Sequence, residues 1–116
     1  MFLAYLAVTV VTIAVNLGSA AADLARMPLV LANAAEVGVP EARLPALAGL
    51  KAAGAAGLLL GLLGLGAVGI AAAAGLVLFF VGAVSVHVRA RVLHNIAFPG
   101  AFLALAVASL ALAVAR

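Results

Sequence analysis

Four long apolar stretches, separated by short polar or glycine-containing breaks, make up almost the whole chain. Phe2 to Ala22 is interrupted only by Thr9, Thr12, Asn16 and Ser19, and Leu44 to Leu65 carries a single charge, Lys51. Ala67 to Val88 is apolar apart from Ser85 and His87 near its end, and Val92 to Ala115 ends at Arg116. Each stretch has the roughly 20 residues that a helix needs to cross a bilayer. The Gly64-Leu65-Gly66 link is too short for anything but a tight turn, so the second and third spans form an antiparallel hairpin. Pro99-Gly100 falls inside the fourth stretch and predicts a kink, because neighbouring helices in a membrane can satisfy the freed backbone groups. Ala20-Ala21-Ala22 before Asp23 has the small residues of a leader cleavage site. No basic segment precedes the apolar core, so this stretch is read as a retained helix.

The longest connection, Asp23 to Arg43, has structure of its own. Met27-Pro28 can open a short helix with proline in its first turn, and Gly38 and Pro40 are stop signals. The expected element is an interfacial helix over Pro28 to Val37, with Asn33 and Glu36 on one face. Glycines set the packing expectation. Gly54, Gly57, Gly61 and Gly64 form one stripe of the second span, Gly57 and Gly61 as a GxxxG pair. Gly75 and Gly82, a heptad apart, offer a matching smooth face on the third. These faces would close the protein's own bundle or form a homo-oligomer seam.

Composition fixes the class. With 70% of its 116 residues hydrophobic and 8% charged, the chain lies far from the roughly 25% charge of soluble domains. It is an all-α integral membrane protein, a four-transmembrane-helix bundle with a short interfacial helix between the first two spans, in one domain over residues 1–116. Its first partner is the lipid bilayer. No cysteine is present, which removes disulfides, thiolate metal sites and intrinsic thiol redox chemistry. A net charge of +3 is too small and scattered for nucleic-acid binding. Arg26, Arg43, Arg89 and Arg91 collect on one side of the four spans against Arg116 on the other, so the positive-inside rule predicts both termini outside the cytoplasm.

Placed by depth, the polar residues converge. Thr9, Thr12, Asn16, Ser19 and Asp23 recur at spacings of three and four, which makes one stripe that should face the bundle. Lys51 enters from the same membrane face, about 10 Å into its helix. His87 closes the third span, and His94 with Asn95 begins the fourth. The candidate ligand-binding residues are therefore Asn16, Asp23, Lys51, His87 and His94, with Asp23 the expected partner of Lys51. Each has a simpler role available. Lys51 could snorkel to the headgroups, the histidines could bond backbone carbonyls, and Asp23 could offset Arg26 at i+3.

The order "GVP" (Gly38 to Pro40), "AGLKAAGAAGLLLG" (Ala48 to Gly61) and "AAGLVLFFVGAVSVHVR" (Ala73 to Arg89) resembles the DoxX-like family of small bacterial four-helix membrane proteins. Lys51 stands where that family has a lysine or glutamate before a glycine-rich helix. "HVR" (His87 to Arg89) stands where it has a histidine and arginine closing the third helix. The acidic residue often found shortly after that arginine is absent. The resemblance implies a bacterial inner-membrane location and a role as accessory subunit of a membrane redox complex, touching a quinone or a lipid. No cofactor intrinsic to the chain is implied. Eukaryotic proteins that look similar act as membrane chaperones or cargo receptors, which leaves binding of another protein's transmembrane helices as an alternative.

Two other classes fit less well. Small multidrug exporters share the size but use an acidic residue inside the first span, where this chain has Asn16, which carries no proton charge. Catalysis by the chain alone lacks paired carboxylates, an HExxH, a nucleophile with an identifiable base, or a histidine arrangement of metal-binding type. No catalytic or metal-binding residue is assigned.

Overall fold

The computed structural model describes all of residues 1–116 and is entirely helical. Helix α1 (Phe2–Leu24) leads to a short α2 (Pro28–Glu36), then a single 3-10 turn at Glu41–Arg43 runs into α3 (Leu44–Leu62). Helices α4 (Gly66–Arg89) and α5 (Ala97–Ala115) complete the chain. Four of these elements are long and apolar enough to span a membrane: α1, the 3-10 turn with α3, α4 and α5. They form a ring in which α1 and α4 each pack against both α3 and α5. Helix α2 lies across one end.

The outer surface of the bundle is largely apolar, and its polar side chains within the spans are buried among apolar ones. Leu3, Val10, Leu17, Leu59, Leu78, Val81, Val107 and Val114 are exposed, whereas Thr9, Thr12, Asn16, Asp23, Lys51 and Ser109 are buried. A water-soluble bundle would reverse that order, because hydrocarbon offers no partner to a polar group. The apolar core proper is small, built on Leu58, Ala73, Leu76, Phe80 and Ala106.

Helices α1 to α4 all end in the same way. The amide three residues past the end of each helix closes back on a carbonyl five residues earlier: Met27 on Ala22, Val39 on Ala34, Leu65 on Leu60 and Val92 on His87. This closure places the preceding residue at positive φ. Gly38 and Gly64 occupy two of these positions, while Arg26 and Arg91 hold the other two at φ of 52° and 59°. A non-glycine residue there costs about 1–2 kcal/mol. Both arginines are exposed.

The glycine stripe of α3 packs inside the chain, and its opposing face differs from expectation. A Cβ on Gly61 would stand 2.7 Å from the Gly69 Cα, and one on Gly57 would stand 2.5 Å from the Ala72 Cβ. A Cβ on Gly54 would meet the Leu76 side chain. The matching surface on α4 is therefore Gly69, Ala72 and Leu76. Gly75 and Gly82 have nothing within 4 Å of an added Cβ, since they lie on other sides of the helix. Gly64 belongs to the turn rather than the stripe.

The fourth span also starts later than its hydropathy suggests. Residues 92–96 form a turn, and α5 begins at Ala97. Pro99 thus occupies the first helical turn, where amide protons have no intrahelical acceptor anyway. It starts the helix and produces no kink.

Gly61→Leu should lower stability by at least the roughly 1–3 kcal/mol of an overpacked core, because backbone meets backbone at that point. Gly75→Leu should be tolerated. Thermal unfolding of both variants in detergent checks the pair, and equal behaviour would mean that the α3–α4 crossing is not close.

Candidate functional site

The polar stripe of α1 carries partners from two neighbouring helices. Near the middle of the bundle, the Thr12 hydroxyl is 2.8 Å from the Ser109 hydroxyl of α5 and 2.7 Å from the Val8 carbonyl oxygen. The Asn16 side-chain amide donates to the Thr12 carbonyl at 2.9 Å. Asn16 Oδ1 and Thr9 Oγ1 have no partner. At the opposite end from α2, Arg116 lies over the Tyr5 ring, 4.4 Å from its centroid.

Lys51 and Asp23 meet at the α2 end. The Lys51 ammonium is 2.5 Å from Asp23 Oδ2 and donates to the Ser19 hydroxyl at 2.7 Å. The lysine and aspartate side chains are only 9% and 8% exposed. This geometry excludes snorkelling, since a lysine serving the headgroups would leave its ammonium in water. Asp23 accordingly does not offset Arg26, whose guanidinium instead approaches Glu41 at 3.9 Å with both side chains more than half exposed. At that exposure the contact adds little.

The two histidines separate. His87 Nδ1 lies 2.9 Å from the Ala83 carbonyl one turn earlier. A carbonyl only accepts, so Nδ1 carries the proton and a neutral ring offers Nε2 as an acceptor. His94 stands in the turn before α5, with Nε2 3.3 Å from Glu36 Oε2 of α2. Beside it the Asn95 side-chain amide donates to Asn33 Oδ1. These two contacts fasten α2 to the α4–α5 turn.

Between α2 and the bundle lies a cavity of about 580 Å³. Leu44, Leu47 and Leu50 of α3, Phe79 and Phe80 of α4 and Phe98 and Phe102 of α5 form much of its wall, and α2 adds Leu29, Val30 and Ala34. Its polar groups are Ser19, Asp23, Asn33, Lys51 and His87. Of the five residues singled out in the sequence, Asp23, Lys51 and His87 therefore share one space. Asn16 sits deeper on α1, and His94 sits outside. The phenylalanines went unrecognised because an aromatic residue in an apolar helix carries no mark of which face it takes. Ser109 escaped for a similar reason, as one hydroxyl in an alanine-rich helix.

A buried pair of this kind should show strong coupling. Lys51→Met or Asp23→Asn alone leaves the other group without its partner, at about 3–5 kcal/mol for full burial. The double variant should recover much of that loss. A double-mutant cycle on unfolding free energy measures the coupling directly, and additive effects would show that the two groups do not interact in solution.

Comparison with curated proteins and with solved structures gives no match. The sequence pattern of the DoxX-like family does match, over residues 7–109. That interval contains Asp23 and Lys51, the whole cavity lining and the Thr12–Ser109 contact. With the four spanning helices and the family's pattern over most of its length, the chain is a multi-pass membrane protein that belongs to the DoxX-like family.

Proposed function

We propose that the protein binds an amphipathic small molecule, a quinone or the headgroup end of a lipid, in the cavity beneath α2. In this reading it serves as an accessory subunit of a redox complex in a bacterial inner membrane. The observation that carries the reading is the state of the Lys51 ammonium. It has three N–H donors, and Asp23 and Ser19 take two of them. The third is available to a carbonyl or phosphate oxygen of a ligand. His87 Nε2 supplies an acceptor on the same cavity, and the phenylalanines supply flat apolar surface. A quinone ring fits that combination, with carbonyls that accept in its oxidised form and hydroxyls that donate in its reduced form.

The composition of the chain supports the accessory role. A protein without cysteine carries no thiol couple of its own, so in this reading a partner subunit would exchange electrons with a bound quinone. The contribution of this chain is binding and orientation. The buried ion pair holds the ammonium in one position, which lowers the ordering cost when a ligand arrives.

Native mass spectrometry of the protein extracted from its own membrane tests the reading. The expected result is a retained quinone or lipid that Lys51→Met and the Asp23→Asn/Lys51→Met double variant both lose, although the double variant is stable. Retention at unchanged occupancy in both variants would refute the site. Co-purification of another protein's helix with no small molecule would favour the membrane-chaperone alternative.

We further place the α2 end in the cytoplasm and both termini outside. The basis is the asymmetry of Arg26, Arg43, Arg89 and Arg91 against Arg116. A reporter fused after Arg116 should behave as extracytoplasmic, and cytoplasmic activity there would invert the orientation.

A further inference from the structure

The molecule has three carboxylate side chains, and each lies against a basic side chain. Asp23 is with Lys51, Glu36 with His94 and Glu41 with Arg26. Arg43 and Arg89 have no carboxylate within salt-bridge distance. Both line one further pocket of about 540 Å³, whose remaining wall is the Val37–Pro40 corner with Val86 and Ala90. Arg43 comes from the turn before α3 and Arg89 from the end of α4, so adjacent antiparallel helices bring the two guanidinium groups to the same end of the bundle.

Helix stability does not account for both charges. Arg89 closes α4, where a cation complements the negative end of the helix dipole. Arg43 stands at the amino end of α3, where a cation opposes the dipole. An anion between them reverses that penalty, since it meets the positive end of α3 and two guanidinium groups together. The helices enter the apolar layer immediately beyond both arginines, at Leu44 and Val88, which sets the pocket at headgroup depth. Arginine is also the side chain best suited to phosphate, because its planar fork can give two parallel hydrogen bonds to phosphate oxygens.

We propose that Arg43 and Arg89 together bind a phosphate group, that of an anionic phospholipid. The pocket shares Val37, Val39 and Val86 with the larger cavity. These three valines separate the two spaces and give the glycerol end of the lipid an apolar surface. Lys51 does not line this pocket, so the lipid here is a second occupant beside whatever fills the larger cavity.

The test uses the full chain in a neutral detergent, titrated with phosphatidylglycerol, with phosphatidylcholine and with inorganic phosphate, and read by native mass spectrometry and thermal shift. The wild type should retain phosphatidylglycerol at least tenfold more strongly than phosphatidylcholine. Arg43→Gln/Arg89→Gln should lose that preference. Arg91→Gln, at an arginine that is exposed like the other two but lies outside the pocket, should keep it. Preference for phosphatidylglycerol that survives the double change, or that falls equally in Arg91→Gln, would overturn the proposal in favour of diffuse surface charge. Stabilisation by inorganic phosphate that depends on Arg43 and Arg89, without lipid preference, would keep the phosphate site and assign it to a soluble phosphate compound. A wild type that binds none of the three would also overturn it.

Discussion

Hydrocarbon around the bundle accepts no hydrogen bond, and the arrangement of this protein follows from that constraint. A polar side chain in a spanning helix has to find its partner inside the chain, so Thr12 meets Ser109 and Lys51 meets Asp23 and Ser19. The stripe on α1 thereby acts as the organising face. It selects α5 as a neighbour through Thr12 and α3 through Ser19 and Asp23. Apolar packing alone would discriminate poorly among helices whose surfaces are nearly all alanine, leucine and valine, because lipid tails compete equally well for those surfaces.

The second organising feature is a change in side-chain size along the α3–α4 pair. From Gly54 to Gly61, α3 presents glycine to Leu76, Ala72 and Gly69, and the two helices come close. Below Gly54, toward α2, the same helices present Lys51, Leu50, Leu47 and Leu44 opposite Phe79, Phe80 and His87, and there the cavity opens. The close contact fixes the helix crossing at one end, and the larger residues leave space at the other. Helix α2 then covers that space, tied to the α4–α5 turn by Asn33–Asn95 and Glu36–His94.

Much of this was legible in the sequence, for physical reasons that can be named. Hydropathy fixes the spans because about 20 apolar residues are required for each crossing. The three-and-four spacing from Thr9 to Asp23 fixes the buried face of α1, since no lipid-facing role exists for that pattern. Depth then matched Lys51 to Asp23. The start of α5 was not legible, because Val92 to Ile96 is almost as apolar as the helix that follows and only the turn after Arg91 removes it. Nor was the facing surface of α4. Glycine spacing marks Gly75 and Gly82 as a smooth face but does not say which side of α4 meets α3, and alanine at position 72 serves the close contact equally well. The cavity depends on several helices at once, so local periodicity carries no trace of it beyond its ionisable residues.

Stability alone gives no reason for the buried ion pair. Two charges withdrawn from water lose solvation that their attraction often fails to restore, and a well-packed apolar pair in the same place is commonly as stable or more so. The glycine contacts already fix how α3 crosses α4, and the Thr12–Ser109 contact already joins α1 to α5. What an apolar pair could not supply is an ammonium held in place beside an apolar cavity with one donor still unassigned. Asp23 neutralises the charge enough for Lys51 to stay buried, Ser19 fixes its direction, and the third N–H is left for the ligand of the proposed function. Under the proposed function, the cost of burying the pair is the cost of a binding group, and the closely packed half of the bundle supports it.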